Sequence, residues 1–206
     1  MSDRDGVVSV SGEPSREEQT SYLAERGISK EETTLYFLIR NLTHSRLGME
    51  ASEVQIPDDI SLQIYGQAAL LGLEGFKTFS EEEKEEIQKD PQKMEQLRSQ
   101  GKALAESLNS VLERMGLPTF EIGSADDSNK VTFSSPQDIV DLAKSWDPSN
   151  QTGRLAEIQR ILTECRDRHL FQLITNAIRE GKRPFVTYGG SHVMSLEPVF
   201  EKYFSE

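Results

Sequence analysis

The feature that most constrains this chain is a row of apolar residues at helical spacing in its last third. Leu155, Ile158, Ile161, Leu162, Cys165, Leu170, Leu173, Ile174 and Ile178 recur mostly three or four apart. One helix from about Gln151 to Glu180 therefore carries a continuous apolar stripe that other elements must cover. Gly181 ends it. Pro184-Phe185-Val186-Thr187-Tyr188 reads as a short strand, Gly189-Gly190-Ser191-His192 as a turn, and a final helix starts at about Ser195.

Helix starts punctuate the rest. Ser15 with Glu18, and Ser29 with Glu32, have capping-box spacing. Gly27 stops the first of these helices. The second carries Leu35-Tyr36-Phe37-Leu38-Ile39 and runs to about Leu42; its aromatic and β-branched content keeps a buried strand open as the alternative. Asp58-Asp59 opens a helix with Ile60, Ile64, Ala68 and Leu71, broken by Gly72 and Gly75. Residues 80–89 form a short polar helix whose charge run reads as a solvated face. Asp90-Pro91 starts a long helix to about Met115, with Met94, Leu97, Leu104, Leu108, Val111 and Leu112 as its stripe; Gly116 and Pro118 end it. Thr119 to Ile122 and Val131 to Phe133 read as short strands around the polar stretch 123–130, a hairpin or an exposed loop. Ser135-Pro136 begins a helix with Ile139, Val140, Leu142, Ala143 and Trp146, and Asp147 to Asn150 is a turn. Residues 7–12 alternate weakly, as a short first strand or a flexible start. The expected fold is α/β, helix-rich with a small, mostly buried sheet. It forms one domain over 1–206, with 80–115 as a helical segment that could be an inserted hairpin.

Charge narrows the partners. The net charge of -12 argues against a long nucleic-acid footprint, which needs clustered Lys and Arg, and equally against an anionic membrane surface. It suits a basic protein partner. The single cysteine, Cys165, allows no intrachain disulfide. The start, Met1-Ser2-Asp3-Arg4-Asp5, lacks the apolar run of a signal peptide, and no stretch approaches the length of a membrane span. A cytoplasmic location is the default expectation.

The concentrated candidate site is Tyr188 to His192. Glycines Gly189 and Gly190 permit close backbone approach, Ser191 offers a hydroxyl, and His192 is a candidate base or metal ligand, a divalent ion being the implied cofactor. The plain alternative is a tight turn with His192 packed or capping. Arg166-Asp167 on the preceding helix could orient His192 or bind a carboxylate or phosphate; the alternative is a surface charge cluster. Glu13, after the first strand, is a candidate acid/base group. His44 belongs to a loop or the surface. No Walker loop, HExxH, CxxC or GxSxG is present.

Residues 166–174, Arg-Asp-Arg-His-Leu-Phe-Gln-Leu-Ile, resemble the R-(D/N)-x-x-(M/L)-x-x-x-I helix of the erythromycin-esterase/ChaN-like and TraB/Tiki group. Residues 184–192 resemble that group's next strand and its G-x-x-H turn. Gly12-Glu13 resembles its first-strand G-E-x-H element, with Ser15 where the group has histidine. The C-terminal resemblance spans roughly 40 residues, a helix-strand-turn order of moderate specificity. It implies hydrolysis of an ester or amide in a small-molecule or peptide substrate. In it His192 would be base or metal ligand, Arg166 would stabilise negative charge, Asp167 would orient His192, and Glu13 would be a second acid/base group. The rival reading is a non-catalytic regulatory protein whose acidic helices at 80–115 bind a basic partner. A third is metal or haem binding without turnover. The enzyme reading requires Glu13, Arg166 and His192 to converge; the binding reading scatters them.

Overall fold

Serine and aspartate caps start most of the helices. In the computed structural model, which describes residues 12–123, 130–147, 149–150, 152–187 and 190–205 (without the side chains of 190–195), the elements are α1 (Arg16–Glu25), α2 (Lys30–Thr43), α3 (Ser61–Leu70), α4 (Glu81–Gln88), α5 (Pro91–Arg114), β1 (Phe120–Ile122), β2 (Val131–Phe133), α6 (Pro136–Trp146), α7 (Arg154–Arg179) and α8 (Gly190–Ser205). Ser15, Ser29, Ser80, Asp90 and Ser135 each accept a backbone N–H of the first turn that follows them. Residues 35–39 are helical, and all five are buried. The strand option there fails because α2 is enclosed by other helices rather than by a sheet.

The sheet among the described residues is two short antiparallel strands, with Phe120 opposite Phe133 and Ile122 opposite Val131. The fold is thus helix-rich with a small sheet. Side chains stand in for missing neighbour strands. Asn109 on α5 donates to Phe120 O at 2.9 Å and accepts from Phe120 N–H at 2.8 Å. On β2, the Asp59 carboxylate accepts from Val131 N–H at 3.2 Å while also accepting from Ser61 N–H at 2.9 Å.

The chain divides into two compact units, Gly27–Gln159 and Met1–Arg26 with Arg160–Glu206. The first has the larger core, including Leu35, Ile39, Ile64, Leu112, Ile139 and Leu142. There α5 crosses α3 at Gly101, and α4 touches α5. Of the α5 stripe only Leu108, Val111 and Leu112 are buried, because Met94, Leu97 and Leu104 lie on the half-covered part of the helix.

The second unit holds α1, α7 from residue 160 onward, and α8. Leu23, Leu162, Cys165, Leu170 and Leu196 are buried in it. The row on α7 frays toward its end, where Ile178 is exposed. Phe171 packs its ring against Phe200 at 5.1 Å and Tyr203 at 5.5 Å, which docks α8 on α7.

Two expectations at the C-terminus are corrected. Of the strand expected at 184–188, the described residues 184–187 make no ladder and each is exposed, Phe185 at 92%. The motif has strand composition but no neighbouring strand to pair with among the described residues. The last helix begins at Gly190, not Ser195, so Gly190, Ser191 and His192 lie in the first turn of α8 rather than in a turn before it. Tyr188 and Gly189 lie outside the described residues, as do residues 7–11 of the first strand expected at 7–12.

Candidate functional site

The second unit brings together residues from both ends of the chain. Ser15 Oγ accepts from Glu18 N–H at 3.1 Å and starts α1. The buried Gln19 side chain donates from Nε2 to Pro14 O at 3.0 Å, locking the residues before the helix against its first turn. That lock fixes Glu13, whose Oε2 lies 3.0 Å from Arg166 Nε on α7. The separation is an ion-pair distance, but Nε is buried without an aligned hydrogen bond, so the contact is held by charge more than by direction. The Arg166 side chain is 16% exposed and that of Glu13 53%.

Further pairs join α1 and the residue after it to α7. His169 Nδ1 is 3.0 Å from Glu18 Oε1. Tyr22 Oη donates to Glu164 Oε1 at 2.8 Å, and Arg26 donates to the same oxygen at 2.9 Å while its guanidinium covers the Tyr22 ring. Burial, then the Glu164 carboxylate, raises the Tyr22 hydroxyl above its ordinary value; the Tyr22 hydrogen bond, then Arg26, holds the Glu164 carboxyl below the usual range. Cys165 is buried among them, and burial pushes its thiol up, with Glu18 adding to the effect. A buried thiol of this kind is packing rather than a ready nucleophile.

The residues expected from the sequence therefore divide. Glu13 and Arg166 meet. Asp167, next on α7, is half-buried and has interactions of its own. His192, Ser191 and Gly190 are placed only as backbone in the first turn of α8, and Tyr188 and Gly189 are not described. His44 stacks on Trp146 at 5.8 Å in the other unit, where the Trp146 indole donates to Thr43 Oγ1 at 2.8 Å. Sequence reasoning missed Glu18 and His169. The available signal was Ser15-x-x-Glu18, which has the spacing of a capping box.

Among the described residues, no three His, Cys, Asp or Glu side chains converge to hold a metal ion. A cleft of about 230 Å³ beside Lys144, Thr152 and Arg154 lies in the other unit and contains none of the expected site residues. No described helix is long and apolar enough to cross a membrane. Comparisons with protein-family models, curated proteins and solved structures returned no match.

Proposed function

We propose that the unit built from α1, α7 and α8 is a hydrolase-like site acting on an ester or amide, and that the chain is a divergent relative of the erythromycin-esterase/ChaN-like and TraB/Tiki group. The α/β character of that group is part of the same proposal. The observation that supports it is the Glu13–Arg166 pair, which joins the residues before α1 to α7 at 3.0 Å. A guanidinium held by a carboxylate and largely screened from water is suited to stabilising an oxyanion as it develops, because it needs no reorganisation during the reaction. In this reading Arg166 faces the substrate carbonyl, Glu13 holds Arg166, and Asp167 and His192 complete the set.

The test is turnover of p-nitrophenyl esters and anilides by the full chain, compared with Arg166→Ala. We expect the variant to lose on the order of 100-fold in kcat, the usual effect of removing one oxyanion donor. A wild type that turns over none of these substrates, or an Arg166→Ala variant as active as wild type, sinks the reading.

One observation favours the second reading, a surface for a basic protein partner. Helix α4 buries none of its residues, so packing does not explain why it carries Glu81, Glu82, Glu83, Glu85 and Glu86. Binding of a Lys/Arg-rich peptide at low salt, abolished by Glu82→Gln, Glu85→Gln and Glu86→Gln together, would support it. Equal binding by this triple variant would end it.

A further inference from the structure

Three helices of this chain open on Ser-x-x-Glu, and the glutamate does not behave alike in all three. At Ser29 and Ser80 the box closes: the serine hydroxyl accepts from the glutamate N–H, and the glutamate carboxylate accepts from the serine N–H at 2.8 Å. At Ser15 only the first half forms. The Glu18 carboxylate turns away from its own cap and meets His169 Nδ1 at 3.0 Å. Closing the box would satisfy another backbone donor of α1. The carboxylate instead holds an imidazole.

That imidazole is in a telling place. His169 lies one turn beyond Arg166 on the same side of α7, because residues three apart on a helix are neighbours. The pairs Glu13–Arg166 and Glu18–His169 thus bridge the same two segments, side by side. A carboxylate at Nδ1 favours the tautomer with the proton on that nitrogen and leaves Nε2 with its lone pair. His169 Nε2 has no partner among the described residues, and the side chain is 21% exposed, open enough to reach a water.

We propose that His169, oriented by Glu18, is the general base of the site, working beside Arg166. This rests on the hydrolase reading above. His169 Nε2 takes a proton from water as the water oxygen bonds to the ester carbonyl carbon. The carbonyl electron pair moves to oxygen, where Arg166 stabilises the charge. The tetrahedral species collapses, the bond to the alcohol oxygen breaks, and Nε2–H returns the proton to that oxygen. One water is consumed. The products are an alcohol and a carboxylic acid, which loses its proton to solvent. Cys165, one turn before His169 and buried, takes no part.

The experiment follows p-nitrophenyl acetate and butyrate turnover by the full chain and by His169→Ala, His169→Gln, Glu18→Gln and His192→Ala, each checked for folding by circular dichroism. We expect His169→Ala to lose about 100-fold or more in kcat with KM little changed, as for removal of a general base. Added imidazole should restore part of the loss. Glu18→Gln should lose less. Nitrogen NMR of wild type should show His169 protonated at Nδ1 and bare at Nε2, a preference weakened in Glu18→Gln. His169→Gln, with similar size and a hydrogen-bonding tip, serves where the alanine variant does not fold. Wild-type kcat in either folded His169 variant, a loss that imidazole does not rescue, a rescued loss in His192→Ala alone, or an Nε2-protonated tautomer each overturns the base while leaving hydrolysis standing. A wild type without turnover overturns both.

Discussion

Gly101 is the residue whose replacement has the clearest consequence. A β-carbon there would sit 2.0 Å from Ser61 O and 2.8 Å from Ser61 C, both backbone atoms that cannot swing aside. Alanine for glycine inside a helix normally gains up to about 1 kcal/mol. Here α5 and α3 must move apart, and overpacking of this kind costs roughly 1–3 kcal/mol or more. We expect Gly101→Ala to lower the urea midpoint, whereas Gly66→Ala on α3, where nothing lies within 4 Å of the added carbon, leaves it unchanged or raises it. A Gly101→Ala protein as stable as wild type would show that the crossing has slack. Glu32 supports a second prediction. Its carboxylate accepts from Arg154 Nε at 2.7 Å and Nη2 at 3.1 Å and from Ser29 N–H at 2.8 Å. The Arg154 bond, aided by Ser29, holds its carboxyl below the usual range, and its side chain is 18% exposed. A lowered folded-state value means that the charged form is favoured by folding. The contribution is therefore complete above the ordinary carboxylate range and is lost as pH falls through the folded value. Glu32→Gln should lower stability at pH 7 and flatten its fall below about pH 4.5, the range where an ordinary glutamate takes up its proton. Parallel wild-type and variant curves in acid would exclude Glu32 as a source of the pH dependence. Such pairs also mark the limit of reading residues from sequence. Ser29-x-x-Glu32 and Ser15-x-x-Glu18 look alike on paper; what separates them is Arg154 in one case and His169 in the other, both far along the chain.

At the scale of elements, local signals were legible and pairing was not. Caps at Ser15, Ser29, Asp90 and Ser135 mark the starts of α1, α2, α5 and α6 because capping is settled within a few residues. The strands Phe120–Ile122 and Val131–Phe133 were also readable, being close enough in sequence to pair as a hairpin. Residues 184–187 have the same composition and form no ladder, because a strand is defined by a neighbour whose position local sequence does not encode. The candidate site was half legible for the same reason: Arg166 and Glu13 stood out as charged residues beside expected elements, but that Glu13 meets Arg166 and Glu18 meets His169, far apart in the chain, is encoded by nothing local. The hairpin shows what replaces a neighbour strand. Asn109 presents its amide to both backbone groups of Phe120, as a facing residue in a ladder would. Asn109→Ala leaves a half-enclosed N–H and C=O without that partner, a change that costs roughly 1–3 kcal/mol. We expect a lower denaturant midpoint and faster amide exchange at Phe120 and Phe133. Asn109→Asp keeps the acceptor for Phe120 N–H but loses the donor, and should fall between. Unchanged exchange at Phe120 in the alanine variant would mean that the strand pair holds without α5.

Across the whole molecule, repulsion between carboxylates should outweigh attraction between ion pairs. The chain has 35 acidic and 23 basic residues. Several of its pairs, such as Lys84–Glu81 and Lys182–Glu180, join exposed side chains, and exposed pairs contribute about 0–1 kcal/mol each. The excess negative charge has no such compensation, and self-repulsion opposes the compact state. Salt distinguishes the two terms. Its screening length shrinks from about 30 Å at 0.01 M to about 10 Å at 0.1 M, which removes long-range repulsion before it weakens a pair in contact. The thermal midpoint should therefore rise by a few degrees between 10 and 200 mM sodium chloride and then level off, since a shift of about 1 kcal/mol moves a chain of this size by about 2–4 °C. Glu82, Glu85 and Glu86 lie close together on α4 and are all exposed, so neutralising all three should raise the low-salt midpoint and shrink the response to salt. A midpoint that falls as salt is added would reverse the conclusion, making the contact pairs the dominant electrostatic term and the acidic excess a tolerated one.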